Sequence, residues 1–411
     1  MKINIDDESQ SLKNNIDKID SNINENKNES QNKKIITVPN EQKNIRNSSF
    51  ELLRIILMFF IISSHVMFHT KSLPKLNEKN FKNIICDKYI FLRIISNYGQ
   101  LGDIIFIMIT GYFSIKRLNF HYIKYILIAT ETYTYHYLFI YISNKLKDIY
   151  KDVELFKPKK GCVYFPLISS LGHWFTQHYL LLLIFMPFIN TGLLSLNHKQ
   201  YKTLVILILI FYNIIRAIIN INKISTNVFN VTQLLKLLLP YIIGGYIRIV
   251  NLKHIFWKFL GIFCFILSIL FEIIFDKLAI NYNSYFYIVI NIEISVGISS
   301  ILIFLTSFGI ICLFKDIVFH SKIINFISGS VLGIYLIHAN KNIAPFIFNA
   351  WLKTKDYNED YYFFYKYFGK VFIIFIICLI IDIIRRYTIG LVIEIIIKFC
   401  TNVYKKIKRE E

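Results

Sequence analysis

Residues 50–70 read FELLRIILMFFIISSHVMFHT, an almost continuous apolar run with an arginine near its start and histidines near its end. A helix needs roughly 20 apolar residues to cross a hydrocarbon core about 30 Å thick, so this run predicts a transmembrane helix. Within it, Arg54 and His65 are eleven positions apart. At about 100° per residue, this spacing is close to three full turns, with a rise of roughly 16 Å. We therefore expect both side chains on one face of the helix, facing a common chamber.

Similar apolar blocks recur toward the C-terminus. The chain is 55% hydrophobic, above the roughly 45–50% that is typical of soluble domains. The blocks lack the alternation of a lumen-lining barrel, and only helices or closed barrels satisfy the backbone in lipid. The sequence therefore predicts an all-α, polytopic membrane helix bundle of about ten transmembrane helices. The ten blocks lie near 50–69, 94–115, 121–143, 173–193, 202–221, 232–250, 254–275, 284–314, 322–339 and 368–384.

Polar segments flank the membrane domain, which we place at residues 50–400. Residues 1–49 contain too few apolar side chains to offset the entropy of ordering, so they predict a disordered cytoplasmic tail. They also lack a signal-peptide pattern, and we expect the first apolar block to remain in the protein as a helix. Residues 401–411 are predicted to form a basic cytoplasmic tail.

Positive charge indicates the orientation of the bundle. The net charge is +20, but Lys and Arg lie mainly in short segments on one side of the predicted membrane. Such residues mark cytoplasmic loops, so we predict an integral, multi-pass protein of the cytoplasmic membrane with both termini cytoplasmic. Because topology accounts for the charge, we expect no nucleic-acid partner. The cations concerned are Lys116, Arg117, Lys199, Lys202, Arg248, Lys253, Lys315, Lys322, Lys405, Lys406, Lys408 and Arg409.

A surface helix is predicted after the last crossing. Arg385 and Arg386 would end that crossing, and Leu391, Ile395 and Phe399 then recur at helical spacing. This pattern is typical of an amphipathic helix that lies along the cytoplasmic surface in contact with membrane lipid.

Several common chemistries lack a signature in this chain. Six cysteines are scattered without C-x-x-C spacing, which predicts neither a zinc site nor a disulfide framework. Cys86 and Cys162 fall in loops on the side assigned as external, where they could form a bridge. The sequence contains no H-E-x-x-H, Gly-rich phosphate loop or G-x-S-x-G motif, so metal hydrolysis, Walker-type ATP use and a hydrolase elbow are not supported.

Ionisable residues inside the predicted spans are costly in lipid, so each needs a partner, a cavity or a function. Arg54 could be an interfacial residue whose head reaches the headgroups, and His65 could be a core histidine with satisfied hydrogen bonds. The imidazole of His65 lies far inside its span, however, and it titrates near neutral pH, so it is equally a candidate general base. For Glu131, His136 and Glu293 we expect polar contacts between helices.

Four stretches together form a more specific pattern. The first is the pair Arg54 and His65, separated by ten residues. The other three are Gly102-Asp103 through Thr110-Gly111-Tyr112, Trp174-Phe175 through Tyr179 to Asn190, and Gly333-Ile334-Tyr335-Leu336-Ile337-His338. In this order they resemble the motifs of the acyltransferase-3 family of bacterial membrane O-acyltransferases, over about residues 45–400. Three departures are that Thr110 replaces a family serine, that Ile105 replaces a family phenylalanine, and that KRLNFHYIK at 116–124 lacks the family's Arg-x-x-Arg element.

The resemblance implies an enzyme, an acyltransferase that transfers groups other than aminoacyl groups. Its expected reaction is O-acetylation: an acyl-CoA, acetyl-CoA in the first instance, donates to a hydroxyl of an envelope polysaccharide or a lipid-linked sugar. His65 would act as general base or carry the acyl group transiently, and Arg54 would contact donor phosphates. No tightly bound cofactor and no metal is expected. The residues implied in substrate binding are Asp103, Lys116, Arg117, Trp174, Tyr179 and His338, with Lys124 a further cation of the loop after the second crossing.

An alternative function is a non-catalytic membrane carrier or exporter that moves an acyl group or a glycan without transferring it. Such a protein needs a path with alternating access but no proton acceptor. The sequence shows no internal repeat and no paired Gly- or Pro-broken helices of the kind that mark many secondary transporters, which disfavours this alternative.

Overall fold

The computed structural model describes residues 47–69, 86–149, 174–215, 217–218, 233–251, 255–282, 284–292, 294, 297, 300–351 and 362–410. In these ranges every regular element is a helix, as the composition predicts. The α-helices are α1 (Ser49–His69), α2 (Cys86–Ser114), α3 (Tyr122–Ile149), α4 (Trp174–Leu194), α5 (His198–Ile208), α6 (Gln233–Val250), α7 (Phe256–Asn281), α8 (Tyr285–Asn291), α9 (Ile301–Phe314), α10 (Lys322–Ser328), α11 (Val331–His338), α12 (Phe363–Arg385) and α13 (Leu391–Glu410). Three π-helical segments, Leu209–Ile215, Phe346–Trp351 and Arg386–Gly390, continue or precede them.

Each of the ten predicted blocks contains helix. Five helical stretches of the described chain are long and apolar enough to cross a membrane: Ser49–Val66, Ile90–Ser114, Trp174–Leu194, Phe256–Asn281 and Phe364–Cys400. Two shorter apolar stretches are Ile301–Phe314 and Lys322–His338. The all-helical class is thus confirmed, whereas the count of ten crossings stays a prediction.

Two predicted blocks are divided at glycines. The block 284–314 is not one long helix, because α8 ends at Asn291 and α9 begins only at Ile301. Between them, a Cβ on Gly297 would lie 2.3 Å from the carbonyl oxygen of Ile292, so the turn has no room for a side chain. The block 322–339 is similarly divided into α10 and α11 by a turn at Gly329 and Ser330. The helices α10 and α11 both border the site described below.

The folded part begins slightly earlier than the sequence predicts. The predicted tail includes residues 1–46, which lie outside the described residues, and three residues that are described. Asn47 donates from Nδ2 to the carbonyl of Ile317 (3.0 Å), and the Ser48 hydroxyl donates to Oδ1 of Asn325 (2.9 Å). Ser49 is the first residue of α1, and the two residues before it pair with the segment around α10.

The helix predicted after the last crossing is present as α13, and its place on the membrane surface stays a prediction. The apolar side chains of Leu391, Ile395 and Phe399 are exposed along it. The helix continues to Glu410, so residues 401–411 do not form a separate tail as far as the structure describes them. The bridge that Cys86 and Cys162 could form concerns side chains outside the described residues.

The helices α2 and α6 cross at backbone contact distance. A Cβ on Gly111 would lie 2.1 Å from the carbonyl oxygen of Tyr241, and one on Gly244 would lie 2.1 Å from that of Met108. Small residues permit such close crossings, and in lipid close packing itself drives helix association. The crossing fixes α2, which contributes Asp103 and Thr110 to the site.

A buried ionic cluster joins α2, α7 and α8. The Nε atom of Arg93 lies 3.2 Å from Oδ2 of Asp276 and 3.6 Å from Oε1 of Glu272, and both acidic side chains are fully buried. Asn291 of α8 donates to the other oxygen of Asp276 at 3.5 Å. The cluster lies apart from the site and holds three helices together.

Replacing Arg93 with leucine is expected to destabilise the protein by about 3–5 kcal/mol, because removing one partner leaves buried carboxylates without their cation. Thermal unfolding of the detergent-solubilised variant measures this effect. Lys398→Leu is the matched control, since Lys398 and Glu394 form an exposed pair 3.9 Å apart whose loss should change little. Equal melting temperatures for the two variants would show that the buried cluster does not stabilise the bundle.

A second ionic cluster connects α3 with α12. Arg385 donates from Nη2 to Glu131 (2.9 Å) and from Nε to Asp382 (2.7 Å), which also accepts from the hydroxyl of Tyr135 (2.7 Å). The contact between helices predicted for Glu131 is therefore present. Glu293, for which the same contact was predicted, lies outside the described residues.

Candidate active site

A cavity of about 230 Å³ lies between α1, α2, α3, α4, α10 and α11. It has room for several water molecules, since one occupies about 30 Å³ in the liquid. Apolar side chains form most of its wall, with a few polar groups among them. Such a wall is typical of small-molecule sites, in which a few polar groups orient the ligand. The polar residues are Arg54, Asp103, Thr110, Lys124, Tyr179 and Ser328.

Arg54 is held in the wall by a neighbour on its own helix. Its Nη1 atom lies 3.0 and 3.1 Å from the two carboxylate oxygens of Glu51, one turn earlier. The Glu51 side chain is 6% exposed, whereas that of Arg54 is 27% exposed. The buried carboxylate thus fixes the guanidinium while leaving part of it open to the cavity.

The helix α2 presents Asp103 and Thr110 to the cavity. The two residues are seven positions apart, close to two helical turns, so they share one face of the helix. The Thr110 hydroxyl donates to the carbonyl of Phe106 (3.1 Å), one turn earlier. This face therefore brings a carboxyl group and a hydroxyl group into the same space as Arg54.

Tyr179 and Lys124 form another polar part of the wall. Lys124 near the start of α3 donates from Nζ to the hydroxyl of Tyr179 (3.3 Å), and the Thr110 hydroxyl lies 3.5 Å from the same oxygen. Two cations, Arg54 and Lys124, therefore border one cavity. An anionic group of a ligand would be attracted to this space, since charged hydrogen bonds are the strong ones.

His65 does not line this cavity. The wall ends at Tyr335, whose buried ring packs 5.7 Å from the ring of Phe175 and 6.5 Å from that of His65. Beside His65 lies His338, with 5.1 Å between the two ring centroids. The expectation that Arg54 and His65 face one open chamber is therefore wrong for His65 in this structure, because Tyr335 occupies the space at that end of the cavity.

His338 is fully buried at the end of α11. Its Nδ1 atom lies 2.6 Å from the carbonyl oxygen of Ile334. A carbonyl oxygen only accepts hydrogen bonds, so Nδ1 carries the proton and donates. The ring is thus fixed by its own helix and placed against His65.

A family model described as an acyltransferase domain matches residues 47–384, most of the chain. The chain belongs to the acyltransferase-3 family. No curated protein and no solved structure matches it. The matched range contains every residue of the cavity wall and both histidines. It excludes α13 and the N-terminal residues 1–46, so the acyltransferase-3 domain coincides closely with the folded helices that precede α13.

Three residues implied by the family resemblance lie elsewhere. Lys116 and Arg117 are exposed in the turn after α2 and do not line the cavity, because α2 ends at Ser114 and the chain then turns outward. The side-chain amide of Asn190 donates hydrogen bonds to the backbone carbonyls of Ser114 (2.8 Å) and Arg117 (2.7 Å), and so caps the end of α2. Trp174 also lies outside the wall, and its ring packs edge-on against Phe175.

Of the implied substrate-binding residues, Asp103 and Tyr179 border the cavity of this acyltransferase-3 domain, and His338 lies beside His65. Sequence reasoning missed Glu51 and gave little weight to Lys124. The spacing of Glu51 and Arg54 at i and i+3 could have predicted this ion pair, since such residues are neighbours on a helix. Among the described residues, no group of three His, Cys, Asp or Glu side chains lies close enough to hold a metal ion.

Proposed function

We propose that this protein is a membrane-embedded O-acyltransferase that transfers an acyl group, acetyl in the first instance, from acyl-CoA to a hydroxyl of an envelope polysaccharide or its lipid-linked precursor. The observation that carries the proposal is the cavity of the acyltransferase-3 domain, which is lined by two cations and a carboxyl group and bordered by Tyr335, whose ring packs against both histidines.

The end of the cavity that carries Arg54 and Lys124 would bind the anionic part of the acyl-CoA donor. Phe50 packs against Tyr112 and Phe113, so the start of α1 lies beside the end of α2 and the exposed turn that carries Lys116 and Arg117. We place this end on the cytoplasmic side, where acyl-CoA is available, in agreement with the distribution of Lys and Arg. Arg54 and Lys124 would bind phosphate oxygens at the entrance.

The size of the cavity limits what enters it. At about 230 Å³ it is smaller than the roughly 300–1,000 Å³ of sites for drug-sized ligands. The acyl thioester and its pantetheine arm would therefore occupy the cavity, while the nucleotide part stays at the exposed turn near Lys116 and Arg117. Apolar residues such as Met58 and Phe106 would surround the acyl chain.

His65 supplies the chemistry in one of two ways. As general base, it takes the proton of the acceptor hydroxyl while the hydroxyl oxygen attacks the thioester carbonyl, and the CoA sulfur leaves and recovers a proton. As acyl carrier, the imidazole attacks the thioester first, CoA leaves, and the acceptor hydroxyl then attacks the acyl-imidazole. Both routes give an ester and free CoA. Because the cavity ends at Tyr335, either route requires the Tyr335 ring to turn aside when the donor is bound.

The reaction is tested with purified protein in lipid nanodiscs, acetyl-CoA with a labelled acetyl group, and a panel of envelope glycans. We expect labelled glycan ester and free CoA thiol in equal amounts over many turnovers; without the glycan we expect no ester and at most one equivalent of CoA thiol per enzyme. A carrier or exporter would instead move glycan across sealed proteoliposomes without forming an ester. Glycan movement with no ester would therefore overturn the proposed function.

A further inference from the structure

The turn at residues 328–330, between α10 and α11, forms part of the cavity wall. Ser328 and Gly329 border the cavity directly, as does Val331, the first residue of α11. The two helices that the turn joins are short, with seven and eight residues. Contacts from other parts of the chain therefore help to fix the turn, and with it the shape of the wall.

Arg386, which follows α12, makes such contacts. Its Nη1 atom donates to the carbonyl oxygen of Phe326 and to the hydroxyl oxygen of Ser330, both at 3.1 Å. The guanidinium also lies over the Phe326 ring, with 5.4 Å between Cζ and the ring centroid. One charged group thus binds α10 before the turn and Ser330 within it. Hydrogen bonds from a charged donor are among the stronger ones, so these contacts restrict the turn.

Gly329 lies between Arg386 and the cavity wall. A Cβ added at Gly329 would lie 3.0 Å from both Nη atoms of Arg386 and 3.1 Å from its Cζ atom, and these are the nearest atoms from other parts of the chain. Because glycine has no side chain, the guanidinium can pack against the backbone of the turn. Gly329 therefore contacts Arg386 and borders the cavity at the same time.

We propose that Arg386 is a positioning residue for the donor cavity. It holds the turn at 328–330 in the arrangement that admits acyl-CoA, and so sets the affinity for the donor. Arg386 lies outside the range 47–384 that the family model matches. Without it, the turn adopts this arrangement for only a fraction of the time, and the apparent affinity falls by that fraction. This inference rests on the proposed function.

Replacing Arg386 with leucine is expected to raise the KM for acetyl-CoA by about 3–10-fold, which corresponds to a turn that is correctly placed for roughly a third to a tenth of the time. The kcat value should change little, because saturating donor restores the arrangement on binding. Arg386→Lys keeps a charged nitrogen donor and should recover part of the loss in affinity. Initial rates in nanodiscs over a range of acetyl-CoA concentrations measure both constants.

A second substitution tests the same contact from the turn. Gly329→Ala adds a methyl group where the guanidinium lies and should displace it, while every partner of Arg386 is kept. We expect Gly329→Ala to raise the donor KM in the wild-type background and to add nothing in the Arg386→Leu background, since the two changes remove one contact. If Arg386→Leu does not fold, the effect of Gly329→Ala alone decides the inference.

Lys258→Leu is the control. Lys258 is also a cation that ties two segments together, since its Nζ atom on α7 lies 2.7 Å from Oδ2 of Asp316, which precedes α10. It lies outside the cavity wall, so its loss removes one positive charge and one ion pair without changing the turn at 328–330. The donor KM should match that of the wild type. An equal rise in KM in Lys258→Leu and Arg386→Leu would mean a general effect of charge or stability, and the inference would fail.

Thiol labelling follows the turn without the reaction. Ser328→Cys places a thiol in the cavity wall, and peptide mass spectrometry measures its rate of reaction with a maleimide. We expect Arg386→Leu to change this rate severalfold and Lys258→Leu to leave it unchanged. A changed rate in a protein that forms no ester would refute the proposed function alone. An unchanged rate and an unchanged donor KM for Arg386→Leu in an active enzyme would overturn the positioning role.

Discussion

Replacing His65 with alanine is expected to lower kcat for acyl transfer by about 10²–10⁴-fold, the usual contribution of a general base or nucleophilic side chain. The donor KM should remain near the wild-type value, because Arg54 and Lys124 border the cavity and His65 does not. Initial rates of ester formation, measured in nanodiscs over a range of acetyl-CoA concentrations, separate the two constants.

The control for this experiment is His198→Ala, since His198 is exposed on α5. Its kcat should match that of the wild type. Acid quenching of the wild-type enzyme before acceptor is added distinguishes the two possible roles of His65, because an acyl-imidazole adds the mass of the acyl group to the His65 peptide. A fully active His65→Ala variant would remove this residue from the mechanism.

Replacing Arg54 with leucine is expected to raise the KM for acyl-CoA by about 10–100-fold. The estimate follows from the roughly 1.5–3 kcal/mol of a hydrogen bond to a charged group and the 1.36 kcal/mol that corresponds to a factor of ten. The change in kcat should be smaller than that in His65→Ala, because Arg54 binds the donor away from the reacting atoms in this proposal.

The donor can be varied to isolate the phosphate contact. An acyl-pantetheine thioester has the reacting group but no phosphate, so wild type and Arg54→Leu should use it with nearly equal KM. Lys202→Leu is the control, since Lys202 is exposed on α5 and lies outside the cavity wall and the turn after α2. An equal rise in KM for acyl-CoA and for acyl-pantetheine would mean that Arg54 stabilises the fold and does not bind the phosphates.

The sequence predicts well what depends on one helix at a time. The length and continuity of the apolar blocks predict the helical class, as found. The amphipathic pattern after Arg386 predicts α13, which forms as expected. These features arise from local periodicity, which a sequence displays directly.

Features that depend on contacts between helices were not predictable in the same way. Tyr335 separates His65 from the cavity only because α11 packs against α1, and no spacing within either helix encodes that approach. Likewise, Lys124 reaches the cavity because α3 returns beside α4, whereas Lys116 and Arg117 look equivalent in sequence but point outward. The turn at Gly329 was hidden because the short Ser-Gly-Ser sequence at 328–330 lies inside a block that is otherwise mostly apolar.

The most direct test of the central claim is mass spectrometry of envelope glycans from cells that produce the wild-type protein or the His65→Ala variant at equal levels. The account predicts an acyl ester on a glycan hydroxyl in wild-type cells and its loss in the variant. The mass difference would identify the acyl group and its acceptor together. The same ester in equal amount in both cell types would contradict the account.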